Sequence, residues 1–258
     1  MKQFRYQQNR PKKNTLLAGF QVIIDALNDG PALERIYLQG NLTGEDVETL
    51  KTLALEKGVP VNRVPVEKLN SLNIPNHRGY IAAISKIKYL DLQDTISFIV
   101  EQGQTPLFLM LDGITDIRNI GGMARTAYCC GVHALIIPEK GVGALNEDAI
   151  STSAGALEEI AVCRVPSLLK AIDDLHLNGI RVLASEMTAD TQVYDIAFTT
   201  PTAIIMGSED KGVSQILRKV CDDVFRVPMA GNFESLNVSA ATAMILYEAM
   251  KQRLVARP

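Results

Sequence analysis

Five short apolar runs in the second half of the chain, Leu107–Leu111, Ala134–Ile137, Arg181–Ala184, Thr202–Met206 and Val224–Val227, constrain its fold most. They are apolar at nearly every position rather than alternating, as strands covered on both faces must be, and helical segments separate most of them. The pattern predicts an α/β fold on a parallel sheet. From Val238 to Leu254, Ala, Met, Ile and Leu recur at helical spacing and predict a closing helix. Ligands of such sheets bind beyond the carboxyl ends of the strands, so the loops after the runs are where chemistry is expected.

Ahead of these runs the pattern from Leu16 to Ser85 switches between helical and extended periods and predicts a small α/β domain of order α-β-α-β-α-β. Helices are expected over about Phe20–Asn28, Thr43–Lys57 and Val66–Leu72, and strands over Arg35–Leu38, Val59–Val64 and Gly79–Ser85. Thr43-x-x-Asp46 resembles a capping box at the start of the second helix, and Gly58 stops it. A polar, helix-like stretch ending in Gly103-Gln104-Thr105-Pro106 marks the boundary. The expected divisions are a basic arm at 1–13, a small domain at 14–88, a linker at 89–104 and a larger domain at 105–258.

Hydrophobic residues at 47% and charged residues at 21% of 258 give the balance of a globular protein. The net charge of −3 hides an uneven distribution. Residues 1–90 carry 13 Lys+Arg against 8 Asp+Glu, and residues 91–258 carry 13 against 21. The positive excess lies in Lys2, Arg5, Arg10, Lys12 and Lys13, an arm suited to phosphate contact. No apolar run is long enough for a bilayer and the N-terminus does not read as a secretion signal, so the protein is expected in the cytoplasm with no membrane partner. Cys129, Cys130, Cys163 and Cys221 form no CxxC pair and match no histidine spacing, so neither a metal site nor a disulfide framework is expected. His77, His133 and His176 are too scattered for a Ser-His-Asp site.

Three loops carry candidate chemistry. The first runs from Asp112 through Asn119 and Gly121-Gly122 to Arg125, where a glycine pair lets a helix start approach a ligand closely. Asn119 and Arg125 lie under two helical turns apart, so one can hold the loop while the other points toward a substrate. The second, Gly207-Ser208-Glu209-Asp210-Lys211-Gly212, follows a strand but lacks the order of an ATP phosphate loop. The third runs from Val227-Pro228-Met229 to Ser235-Leu236-Asn237-Val238-Ser239 at the start of the last helix. Gly141-Val142-Gly143 comes nearest to a dinucleotide fingerprint, but Asn146 stands where the next glycine belongs.

Asn119-x-Gly121-x-x-x-Arg125-Thr126-Ala127, Gly207-Ser208-Glu209-x-x-Gly212 and Ser235-Leu236-Asn237-Val238-Ser239, in this order, resemble the three motifs of the SpoU, or TrmH, family of RNA ribose 2′-O-methyltransferases. Ser153-Ala154-Gly155-Ala156 and Pro228-Met229 also resemble family elements, and Asp210 departs from the glycine common there. Gly19-Phe20-Gln21-Val22 and His77-Arg78-Gly79 are similar to the small RNA substrate-binding domain of bacterial members, itself similar to RNA-binding ribosomal proteins. The resemblance implies a deep trefoil knot in the C-terminal domain, S-adenosyl-L-methionine as cofactor and a homodimer through that domain. It implies cofactor contacts at Gly207, Val227, Met229 and Leu236, and a catalytic set of Asn119, Arg125, Glu209, Ser235 and Asn237. The combination is most similar to members that methylate a guanosine of 23S ribosomal RNA. A tRNA ribose methyltransferase, a resistance enzyme acting on an rRNA adenosine, and an RNA-binding protein without catalysis are the alternatives.

Overall fold

The computed structural model describes residues 16–143, 145–231 and 235–256, so the basic arm at 1–13 lies outside the described residues. The chain divides after Ser85 into two compact units.

The first unit opens with β1 (Leu16–Ala18) and α1 (Phe20–Asp29), then β2 (Leu33–Gln39), α2 (Glu45–Glu56), β3 (Val61–Val64), α3 (Val66–Asn70) and β4 (Tyr80–Ile84). The sheet order is β1-β4-β2-β3, with β2 parallel to β3 and β4 antiparallel to both β1 and β2. Strand β1 is an addition to the expected order, too short to show a period of its own. The expected capping box is corrected: Gly44, at φ 123, is the N-cap of α2, with no side-chain cap. Helix α1 buries Ile23, Ala26 and Leu27 against Ile36 and Leu38 of β2.

The second unit adds β5 (Tyr89–Leu90), α4 (Leu92–Glu101), β6 (Leu107–Asp112), α5 (Ile117–Cys129), β7 (Ala134–Pro138), α6 (Glu147–Thr152), α7 (Ala156–Glu159) and β8 (Ala161–Val165). It continues with α8 (Leu168–Leu177), β9 (Arg181–Ser185), β10 (Thr202–Gly207), α9 (Gln215–Arg218), β11 (Asp223–Phe225) and α10 (Val238–Val255). The stretch expected as a linker, 89–104, is instead part of this unit. Asp91 caps α4 through the Asp94 amide at 3.0 Å, and Leu92, Ile96 and Ile99 enter the core at helical spacing. Its outer face carries Gln93, Asp94, Ser97 and Glu101 alongside exposed Phe98 and Val100, a mixture that reads as a connection.

The seven strands form one parallel sheet of order β11-β9-β10-β6-β7-β8-β5. Strand period divides each apolar run between two cores: Leu107, Leu109 and Leu111 face one, Phe108 and Met110 the other. Helices cover both faces, which is why β6 is buried from Leu107 through Leu111. Each such side chain contributes roughly 1.5–3 kcal/mol on burial. Strand β8 was not expected because Arg164 interrupts its apolar run; the guanidinium stacks 3.5 Å from the Tyr89 ring on the neighbouring edge strand.

Strand order also locates the ligand site. The chain moves outward from β6 to β7 and β8, then returns so that β10 lies on the other side of β6. The loops leaving β6 and β10 therefore part at this switch point and leave a crevice between them. Among the described residues no helix is long and apolar enough to cross a membrane.

Candidate active site

The two loops at the switch point supply the first two polar groups. After β6, Asp116 caps α5 by accepting the Arg118 amide at 2.8 Å, which sets Asn119 in the first helical turn. The guanidinium of Arg118 bonds the same carboxylate and holds it below its ordinary pKa. After β10, residues 208–212 turn back so that Ser208 and Gly212 pair, presenting Glu209 at the tip. Asp112, at the end of β6, accepts the Ser214 amide at 2.7 Å and fixes the base of that turn.

Asn237 brings in the third segment. Its carboxamide oxygen caps α10, accepting from the amides of Ser239 at 3.0 Å and Ala240 at 3.3 Å and from the Ser239 hydroxyl at 2.6 Å. Its amide nitrogen donates to Glu209 Oε1 at 2.6 Å and to Asn119 Oδ1 at 3.1 Å. Asn119 donates to the same Glu209 oxygen at 3.0 Å, and the Val238 amide approaches it at 3.4 Å. Three residues from distant parts of the sequence thus form a closed hydrogen-bonded triangle around one carboxylate oxygen. Among the described residues, nothing hydrogen-bonds the other Glu209 oxygen.

Glycines make this convergence possible. A Cβ on Gly207 would lie 1.9 Å from the Gly212 carbonyl carbon and 2.1 Å from the Val213 nitrogen, so the returning chain needs its absence. A Cβ on Gly121 would lie 2.7 Å from Thr152 Cβ and 2.9 Å from the Ser153 amide, so α5 sits directly against the end of α6.

Beside the triangle, a cavity of about 320 Å³ opens beyond the carboxyl ends of β9 and β11. Val227, Met229 and Leu236 line it, as does Tyr194, and Leu236 is the chain neighbour of Asn237. Gly207 is buried and is not among its lining residues. Ser235 is exposed and makes no hydrogen bond to a described residue, and Asn232–Glu234 lie outside the described residues. Arg125 is also exposed on α5, about 9 Å along the helix from Asn119 at 1.5 Å per residue, with no hydrogen bond or ion pair to a described residue. The discounted glycines find structural explanations: Gly143 lies against the Thr115 carbonyl, where a Cβ would come within 2.5 Å, and Asn146 caps α6.

Sequence reasoning missed Ser185, Met187, Gln192, Tyr194 and Arg226 in the cavity wall, and placed Asp112 and Ser239 in candidate loops without their role in supporting the triangle. The signal was available for Ser185, Met187, Gln192 and Tyr194. Residues 185–194 follow the carboxyl end of β9, where a parallel sheet places ligand contacts.

The fold and site define a parallel α/β unit with a preorganised polar cluster at the switch point and a ligand cavity beside it, beyond the carboxyl ends of β9 and β11. Comparison with known proteins gives the family. Residues 106–247 match the SpoU rRNA Methylase family, and residues 16–90 match the RNA 2′-O ribose methyltransferase substrate binding family. The 23S rRNA (guanosine-2′-O-)-methyltransferase RlmB of Vibrio parahaemolyticus is 38% identical over 182 residues, covering 70% of this chain and 73% of its own. YacO, a TrmH family protein of Bacillus subtilis, is 28% identical over 242 residues, covering 94% and 97%. The crystal structure of the SpoU methyltransferase AviRb from Streptomyces viridochromogenes, in complex with S-adenosylmethionine, matches with a TM-score of 0.60 at 26% identity, covering 93% of this chain and 91% of that one. The chain belongs to the SpoU/TrmH family of RNA 2′-O-methyltransferases, and its cofactor is S-adenosylmethionine.

Proposed function

We propose that the protein methylates a ribose 2′-hydroxyl of a guanosine in 23S ribosomal RNA, with the 320 Å³ cavity holding the cofactor and the Asn119–Glu209–Asn237 triangle with Arg125 forming the reacting side. The observation that carries the assignment of the site is the closure of that triangle next to Leu236 of the cavity wall. The cavity suits S-adenosylmethionine: Tyr194, Val227 and Leu236 give a purine apolar contact, and Ser185 and Gln192 give polar groups to a ribose. When bound, the cofactor supplies an electrophilic methyl group on a sulfonium. The N-terminal unit is the RNA-recognising part, and the RlmB similarity favours 23S rRNA over the tRNA reading that YacO, named for tRNA and rRNA alike, keeps open.

A neutral alcohol is a poor nucleophile, so the site must favour its alkoxide. Arg125 does this as a cation, with no donor spent on a described residue, that stabilises the developing negative charge. Glu209 keeps Asn119 and Asn237 in fixed rotamers, and Ser235 and Asn237 complete the polar wall. Orientation of the hydroxyl supplies much of the remaining acceleration.

We further read the C-terminal unit as a trefoil knot, supported by its match to the SpoU rRNA Methylase family, and as the dimerisation unit, supported by exposed Met244, Tyr247 and Leu254 on α10. Light scattering is expected to show a dimer that Tyr247→Lys dissociates. Mapping ribose methylation across rRNA and tRNA in a strain lacking the protein tests the substrate: loss at one 23S guanosine is expected, and loss only in tRNA overturns the rRNA assignment.

A further inference from the structure

We infer that Arg226 is the residue that recognises the carboxylate of the cofactor's amino-acid end, an inference that rests on the cavity being the S-adenosylmethionine site. Arg226 follows β11 directly, and it alone among the lining residues carries a charged side chain. Its backbone is held on both sides: the Arg226 amide donates to the Thr191 carbonyl at 3.0 Å, and its carbonyl accepts the Val193 amide at 2.8 Å. Between those two sits Gln192; with its carboxamide assigned so that the oxygen rather than the nitrogen faces the arginine, which satisfies both groups, it accepts from Nε at 2.9 Å and Nη2 at 3.0 Å.

This neutral partner orients the guanidinium without neutralising it. A carboxylate partner would cancel the charge, whereas an amide leaves a full positive charge and the Nη1 donors unspent. Such a group beside a cavity fits an anionic ligand. The cofactor brings one anionic group, a carboxylate, together with an ammonium and a sulfonium that the same cation repels. Arg226 therefore sets which end of the cofactor faces this wall, and Gln192 is the positioning residue that holds it there.

The test compares S-adenosylmethionine with its decarboxylated form, which keeps the purine, ribose, sulfonium and ammonium. Calorimetric titration of the full-length protein is expected to give about tenfold tighter binding of the carboxylate form, the ratio of one exposed charge-assisted contact. Arg226→Ala and Arg226→Gln are both expected to bring that ratio close to one while binding of the decarboxylated form persists, which also shows that the pocket is intact. Gln192→Leu is expected to reduce the ratio partway. A ratio unchanged in both Arg226 variants, or equal weakening of both ligands, overturns the inference and leaves the cavity assignment standing. If, instead, Leu236→Asp, also in the lining, leaves wild-type affinity for both ligands, the cavity is not the cofactor site and the underlying assignment fails.

Discussion

Asn237 performs two separable tasks, and the structure predicts how substitution divides them. Its oxygen caps α10, while its nitrogen serves Glu209 and Asn119. Serine in its place can still accept the amide at the helix start but is too short to reach Glu209. Alanine does neither. Losing the cap costs about 1 kcal/mol, so Asn237→Ala is expected to melt about 2–4 °C below Asn237→Ser in a unit of this size. Losing a hydrogen bond to a charged acceptor is worth about 1.5–3 kcal/mol. If the triangle is preorganised for the transition state, that converts to roughly a 10- to 150-fold drop in methyl transfer, the same for both variants. Differential scanning fluorimetry measures the first effect, and incorporation of labelled methyl groups into rRNA from a strain lacking the protein measures the second. Wild-type turnover in Asn237→Ser would refute the catalytic role of the triangle, and equal melting of the two variants would refute the capping argument.

Arg125→Ala is expected to reduce methylation by about 10² or more while calorimetry still detects the cofactor; near-normal turnover would remove Arg125 from the mechanism. Gly207→Ala places a Cβ 1.9 Å from backbone, which no side-chain movement can relieve, so a loss of more than about 3 kcal/mol in chemical denaturation is expected together with loss of cofactor binding. Burial works against ionisation of Asp222, yet the Val182 amide at 2.7 Å and the His176 ring at 2.9 Å hold its carboxyl below the ordinary value. A lowered folded-state value gives stability that is present above the unfolded value, about pH 4, and is lost as the pH falls through the folded one. The gap in urea midpoint between wild type and Asp222→Asn is therefore expected at pH 7 and should close on acidification; a gap independent of pH would show that the carboxylate charge is not what stabilises the pair.

How legible the site was depended on whether a residue's role is local or assembled. The five core runs declared themselves because both faces of the sheet are covered, leaving no polar position to disguise them. Strand β8 did not, since Arg164 satisfies itself on Tyr89 from a stretch that reads as a linker. Asn119, Glu209 and Asn237 could be picked out from motif order, but no spacing rule states that one Glu209 oxygen receives donors from both amides, because that contact joins positions 90 and 28 residues apart. Gly207 was legible as important and illegible as to why: its environment is the returning backbone of Gly212, which only the fold supplies.

The arginines show the same dependence and narrow the choice of the cation that stabilises the developing alkoxide. Arg253 spends its guanidinium on the carbonyls of Phe198, Thr105, Pro106 and Thr200, stitching the end of α10 to the start of β6. Arg118 is committed to Asp116, and Arg218 to Glu186 at 2.6 Å. Each of these is structural, because a guanidinium whose charge or donors are already matched has little left for a developing alkoxide. Arg125 differs: it stands on the helix whose first turn carries Asn119, is exposed, and has no partner among the described residues. As a sequence position it is indistinguishable from a solvated surface arginine. What separates it is that its helix is pinned by the Asp116 cap and the Gly121 contact, so the exposed side chain extends from a rigid base. A cation held in that way, with its donors unspent, can stabilise charge that exists only in the transition state without first breaking a ground-state contact.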